Sequence, residues 1–208
     1  CISNCPNLEA IPATQNLQSL RKLQIESCES LNLSLKNVGK FRSLEFLDIY
    51  SDPATWPQDI YELTSLTTLH LGGFSENIDY FPWPDTFSGP VDGIKEHCAS
   101  LRSLQLYGWP MIKSLPGQMQ YLSKLTNLTI IRFDGLEALP EWLGQLQSRQ
   151  TLKLLACKNL RYLHSAAVEC LADLHTLRIN RCPHLKERCT RGTGEEWPKI
   201  AHIPNIYL

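Results

Sequence analysis

No stretch of this chain is apolar for the roughly 18 to 20 consecutive positions that a membrane-spanning helix needs, and its N-terminus lacks a basic segment leading into an apolar one. Neither a membrane span nor a targeting signal is therefore expected. Charge of one sign is missing too: 20 Lys and Arg stand against 21 Asp and Glu, a net charge of -1, which gives no electrostatic reason to expect nucleic acid or an anionic membrane as partner. The six histidines are scattered, with no serine elbow, His-Glu-x-x-His run or carboxylate cluster beside them, so no catalytic group is expected and the chain reads as a non-enzyme. What the 208 residues do have is 43% hydrophobic and 20% charged composition, the balance of a soluble chain with a continuous core.

That core is written as a repeat. The pattern Leu-x-x-Leu-x-Leu occurs from Leu20, Leu44, Leu66, Leu101 and Leu125, and degenerate copies start at Arg149 and Leu174. Subtracting successive starts gives spacings of 24, 22, 35, 24, 24 and 25 residues. Such periods, near 20 to 29, belong to leucine-rich repeats. A partial copy lies upstream at Ile2, Leu8, Ile11 and Pro12, and because the chain opens on Cys1 inside that copy it is expected to be a C-terminal fragment. Leu-x-Leu has period two, so alternate side chains of a short strand turn inward. One repeat cannot bury its leucines alone; stacked repeats form a parallel sheet over one long core. The expected fold is an α/β leucine-rich-repeat solenoid, with parallel strands on the concave face and turns or short helices on the convex face.

Pro12, Pro57, Pro116 and Pro140 each follow an apolar anchor and hold the return leg in extended or turn geometry. The runs EWLGQLQ and 166–172 after that leg are expected as short helical turns, with proline at a first helical position. Residues 1–185 are read as the solenoid and 186–208 as a C-terminal tail or cap. One spacing is long because residues 72–98 carry an insertion rich in Gly, Pro and rings, and Phe74, Tyr80, Phe81, Trp83 and Phe87 should pack back on the scaffold. Arg149, His164 and Leu35 depart from the repeat, and local irregularity is expected there.

Eight cysteines suggest zinc or disulfides until the repeats are aligned. Cys5, Cys28, Cys157 and Cys182 each follow the last apolar strand residue by three positions, in the slot that elsewhere holds Asp52, Phe74, Trp109 and Phe133. That slot is space-filling, and a thiol suits it as a small hydrophobe. Cys182, His184 and Cys189, with Cys170, lack the paired Cys-x-x-Cys spacing of a zinc site.

Function is expected on the open strand face. The residue between the last two apolar positions runs Gln24, Asp48, His70, Gln105, Thr129, Lys153, Arg178, and the residue after them Glu26, Tyr50, Gly72, Tyr107, Ile131, Leu155, Asn180. Acidic groups stand toward the amino end and Arg132, Lys153, Arg178 and Arg181 toward the carboxyl end, with apolar residues between. Aromatic and aliphatic side chains flanked by charge are the ingredients of a protein interface. The candidate protein-binding residues are Asp48, Tyr50, His70, Gln105, Tyr107, Ile131, Arg132, Lys153, Leu155, Arg178 and Arg181. Lys153 and Arg178, in equivalent positions of adjacent strands, should form a compact basic patch with Arg181 close by.

The segment CPHLKERCTRGTGEEWPKIAHIPNI from Cys182, together with LQLYGWPMIKSLPGQMQYLSKL and FDGLEALPEWLGQLQS, resembles the terminal repeats of plant intracellular immune receptors of the coiled-coil, nucleotide-binding, leucine-rich-repeat class. The resemblance implies a cytoplasmic recognition domain that senses a pathogen effector or a modified host protein and folds against its own nucleotide-binding module. ADP or ATP would belong to that upstream module, since no Gly-x-x-x-x-Gly-Lys-Ser/Thr loop occurs here; no cofactor is expected in this chain. An extracellular repeat receptor would glycosylate the sequons at Asn32 and Asn127, yet Asn127 falls within an expected strand of the open face. A ligase adaptor built on repeats is the remaining alternative.

Overall fold

The structure, a computed structural model, describes residues 1–9, 11, 17–28, 30, 31, 41–50, 60, 63–73, 100–108, 110–146, 150–163 and 174–208. The insertion beyond Gly73, the Trp56–Pro57 turn, the 166–172 run, Cys98, Cys170, the Asn32 sequon and the irregular positions Leu35, Arg149 and His164 lie outside the described residues.

Each copy of the motif produces one strand, starting two residues after its first apolar position. The strands are β1 (Ile2–Ser3), β2 (Lys22–Glu26), β3 (Phe46–Tyr50), β4 (Thr68–Gly72), β5 (Ser103–Tyr107), β6 (Asn127–Ile131), β7 (Thr151–Leu155), β8 (Thr176–Asn180) and β9 (Asn205–Tyr207). They form one parallel sheet in chain order, each strand beside its sequence neighbours. Register is set by the leucines: Leu47 pairs with Leu69, Leu104 with Leu128, Leu128 with Leu152 and Leu152 with Leu177. A slip of one residue would turn these columns to solvent, so burial holds the register. Both inward residues of β2 through β8 are buried, in one continuous core with Leu44, Leu125, Phe133, Leu139 and Leu160. The fold is the leucine-rich-repeat solenoid that the periodicity implies.

The ninth strand was not anticipated. Ile203, Ile206 and Leu208 repeat the apolar spacing of the motif, and Ile206 pairs with Leu177. The proline geometry also differs from expectation. Among the described residues the 3-10 helices Gly117–Tyr121 and Glu141–Gln145 occupy the convex side, but Pro116 and Pro140 precede their first helical residues in extended conformation, at ψ 135° and 147°. The ring fixes φ where the chain is still extended and so sets the entry into the turn.

Directly after the strands the chain turns through the left-handed region. Asn4, Ser27, Gly73, Gly108, Arg132, Ala156 and Arg181 all have positive φ, between 52° and 79°. In this conformation the N–H donates to the neighbouring strand's last carbonyl: Arg132 to Leu155 at 2.9 Å, Ala156 to Asn180 at 2.8 Å, Gly108 to Ile131 at 2.8 Å. The extra rung satisfies a backbone donor at the sheet margin. Left-handed geometry costs a non-glycine L-residue roughly 1 to 2 kcal/mol, which glycine avoids.

Residues 182–208 fold against the final repeat. Helix α1 (Pro183–Arg188) buries Leu185, and α2 (Trp197–Ile200) buries Ile200. Between them Glu196, a buried carboxylate, accepts hydrogen bonds from the Leu163 N–H at 2.9 Å and from Lys199 Nζ at 2.8 Å. Lys199 Nζ also donates to the Leu163 carbonyl at 2.8 Å, and Arg188 lies 3.7 Å from the other Glu196 oxygen.

Candidate protein-recognition surface

Because the sheet is parallel and in register, equivalent residues of successive repeats stand side by side on its open face. Gln24 pairs with Asp48, and Asp48 with His70, in the row between the leucines. His70 Nδ1 approaches Asp48 Oδ2 at 3.7 Å, and Gln24 Nε2 donates to the same oxygen at 3.4 Å. The adjacent His70 imidazole, supported by the Gln24 hydrogen bond, lowers the Asp48 carboxyl below its ordinary value against the opposing effect of partial burial. One row over, Lys22 Nζ sits 4.6 Å from the Phe46 ring centre, and Phe46 meets His70 edge to face at 5.1 Å.

The next row contains a gap with a purpose. Tyr50 and Tyr107 belong to strands separated by β4, so their backbones stand about 9.6 Å apart. Their rings nevertheless meet edge to face, centres 5.2 Å apart, because Gly72 lies between them. A Cβ on Gly72 would fall 2.9 Å from Tyr107 Cβ and 3.1 Å from Tyr50 Cδ2. Burial is the main reason the Tyr50 hydroxyl titrates above its ordinary range. Arg132 places its guanidinium 5.5 Å from the Tyr107 ring centre, within cation–π reach.

This aromatic pair walls two hollows. The first, about 520 Å³, collects Glu26, Asp48, Tyr50, His70, Gln105, Tyr107 and Ile131. The second, about 580 Å³, collects Tyr50, Tyr107, Arg132, Asp134, Ala156, Lys158 and Arg181. Lys153, Leu155 and Arg178 line neither. Lys153 and Arg178 are exposed and face each other in register on β7 and β8, with Tyr207 of β9 beyond Arg178. Ten of the eleven residues singled out from the sequence thus divide into an acidic hollow, a basic hollow and a basic patch on the flat sheet, and Leu155 ends β7 outside all three.

Sequence reasoning missed several contributors: Lys22, Phe46, the clearance that Gly72 provides, and the Asp134–Lys158 ion pair at 3.0 Å. Lys22 and Phe46 occupy the first position of the strand unit, which also faces outward by the same alternation and was the available signal. The cysteines do more than fill space. Cys28, Cys157 and Cys182 are buried thiols at the described slot, as is the Phe133 ring. Cys182 Sγ donates to the Leu154 carbonyl at 3.4 Å and accepts from the Cys157 N–H at 3.4 Å, while Cys157 Sγ reaches the Ile130 carbonyl at 3.9 Å. Weak donors at this position tie each turn to the preceding strand. The Cys182 sulfur beside it, and then burial, raise the Cys157 thiol far above its ordinary value, so it stays protonated.

No family model matches the chain. It is similar to TMV resistance protein N of Nicotiana glutinosa, 30% identical over 176 residues, which covers 83% of this chain and 14% of that protein. Protein SUPPRESSOR OF npr1-1, CONSTITUTIVE 1 of Arabidopsis thaliana is 27% identical over 224 residues, covering 92% of this chain and 15% of that one. The chain therefore spans about one seventh of the length of these relatives. Among solved structures, the leucine-rich repeat domain of the type III effector XopL superposes with a TM-score of 0.60 at 20% identity, over 99% of this chain and 74% of that domain. That likeness concerns the fold.

Proposed function

From the premise that this chain is a leucine-rich-repeat solenoid homologous to a segment of plant disease resistance proteins, we propose that its open strand face is the protein-recognition surface of such a receptor. The surface would sense a pathogen effector or a modified host protein in the cytoplasm, and part of it would rest against the receptor's own nucleotide-binding module until a ligand arrives. ADP or ATP would be handled by that module, with no cofactor and no catalysis assigned to this chain. Among the described residues no helix is long and apolar enough to cross a membrane.

The observation that carries this reading is the in-register Lys153–Arg178 pair, in a face that is acidic at Glu26 and Asp48 and aromatic in between. Like charges on adjacent strands slightly weaken the free sheet, and an acidic partner surface compensates them. An extracellular role fits less well. Asn127 opens β6, half-buried, with its amide 3.3 Å from Thr126 Oγ1, where a glycan would stand over the face.

The test is Lys153→Glu with Arg178→Glu, measured for association with the nucleotide-binding module and with candidate effectors at low and high salt. Exposed charge contacts contribute about 0.2 to 1 kcal/mol each, and reversing two of them turns attraction into repulsion, so binding should weaken about tenfold at low salt. The difference should shrink as ionic strength rises. A folded double variant that binds every partner like the wild type would show that the basic patch is only a solvated face.

A further inference from the structure

The position directly after a strand is one that backbone sterics give to glycine or asparagine, and Gly73, Gly108 and Asn4 follow that preference. Ser27, Arg132, Ala156 and Arg181 do not, at φ 52° to 58°, so the turn itself enforces the conformation. At Arg132 and Arg181 the same turn carries a long cationic side chain to the sheet margin. Both arginines line the same hollow of about 580 Å³, with the small side chain of Ala156 between them. The hollow also holds a carboxylate, but Asp134 is committed. Its Oδ2 pairs with Lys158 Nζ at 3.0 Å, and its Oδ1 accepts the Lys158 N–H at 3.0 Å. Among the described residues no ion pair reaches Arg132 or Arg181. Arg132 and Arg181 thus stand without an ion-pair partner among the described residues, and the Tyr107 ring steadies Arg132 from one side.

We propose that this hollow is the docking site for an extended acidic segment of a partner polypeptide. The proposal rests on the recognition role assigned above and names the chemistry of one contact. The two arginines leave the sheet two strands apart, about 9.6 Å, and carboxylates at positions i and i+2 of an extended peptide stand about 6.8 Å apart, a gap that two long side chains close. Arginine forks suit carboxylates; the residue between the two acids faces away from the hollow, and the small Ala156 side chain between the arginines leaves room for the segment to lie across it. Asp134 in the wall tolerates two separated carboxylates better than the dense charge of a phosphodiester chain.

The test uses a fluorescent Glu-Tyr-Glu-Tyr-Glu peptide, its Gln-for-Glu counterpart, and an oligothymidylate competitor, read by fluorescence anisotropy. The informative variant is Arg132→Gly with Arg181→Gly, which removes both charges while giving the backbone the residue it prefers. The expected result is at least tenfold weaker peptide binding and a flatter salt dependence, at an unchanged or raised melting temperature. Lys113→Gln with Lys124→Gln, which removes two exposed charges that line neither hollow, should leave peptide binding within threefold. Equal binding of the Gln peptide, competition by oligothymidylate as effective as by the acidic peptide, unchanged affinity of the glycine variant, or a lowered melting temperature for it would each overturn the proposal. If the glycine variant binds peptide normally while charge reversal at Lys153 and Arg178 still disrupts protein partners, the recognition reading stands and this site alone falls.

Discussion

Glu196 offers the sharpest test of how the last repeat is closed. Its carboxylate is 3% exposed and joins the Leu163 N–H, Lys199 and Arg188; without it the Leu163 N–H loses its acceptor, while Lys199 keeps the Leu163 carbonyl and Arg188 keeps Glu195. Removing one partner of a buried ion pair costs about 3 to 5 kcal/mol, and an orphaned buried N–H about 1 to 3 kcal/mol. Lys199 and Arg188 are each about 30% exposed and can regain water, which lowers the total. Glu196→Ala should therefore destabilise the docking of residues 182–208 by about 2 to 4 kcal/mol, and Glu196→Gln, which keeps an acceptor for Leu163, by about half as much. Cys189 reports the event. It is buried in the same region, and burial followed by the Glu196 charge pushes its thiol up to about 12, so the folded form offers almost no thiolate for alkylation. Labelling must proceed through an opened state, whose population rises tenfold for each 1.4 kcal/mol lost. Site-resolved iodoacetamide labelling, quantified by mass spectrometry, should be about 30- to 1000-fold faster in Glu196→Ala. Its pH dependence should follow an ordinary thiol near 8.5, as expected for an opened segment. A labelling rate within threefold of wild type would refute the reasoning and show that apolar packing of Leu185 and Ile200 closes the repeat unaided.

Leu104→Ala and Leu128→Ala, each emptying a fully buried place in the leucine column, should lower stability by roughly 2 to 5 kcal/mol in denaturant titrations; unchanged midpoints would contradict the inward assignment. Gly135→Ala should cost about 1 to 3 kcal/mol, because the added Cβ would lie 2.7 Å from the Ile112 and Pro110 carbonyl oxygens, which are backbone and yield little; thermal melting decides. The depressed Asp48 carboxyl contributes stability that is present above its unfolded value near 3.9 and lost as pH falls through its lower folded value. Asp48→Asn should thus be less stable than wild type at pH 5, and the two midpoints should converge toward pH 2.

Much of this architecture was legible because the leucine pattern fixes strand, inward face and register together. Lys153 and Arg178 were placed side by side from alignment alone, and β7–β8 pairing puts them there. The ninth strand escaped because isoleucines replace the leucines and Pro204 interrupts the frame, although Ile203, Ile206 and Leu208 keep its spacing. The two hollows were harder to foresee. The basic one depends on backbone turning at Arg132 and Arg181, where the residue type gives no hint of positive φ, and both depend on how side chains lean across strands. Glu196 was equally hidden, since a Gly-Glu-Glu-Trp stretch reads as solvated charge until the Leu163 amide is brought against it.

The absent side chain at Gly72 makes the aromatic wall a property of three repeats at once: β3 and β5 supply the rings and β4 supplies the clearance. A solenoid of this kind tolerates the gain or loss of a whole unit, because the leucine column closes up behind it. The surface does not share that tolerance. Deleting the unit of β4 would press Tyr50 and Tyr107 into adjacent rows, and inserting one would carry them beyond contact, while the core continued undisturbed. Copy-number change along such a chain is thus a route by which a binding face can be rewritten in one step without endangering the fold that carries it.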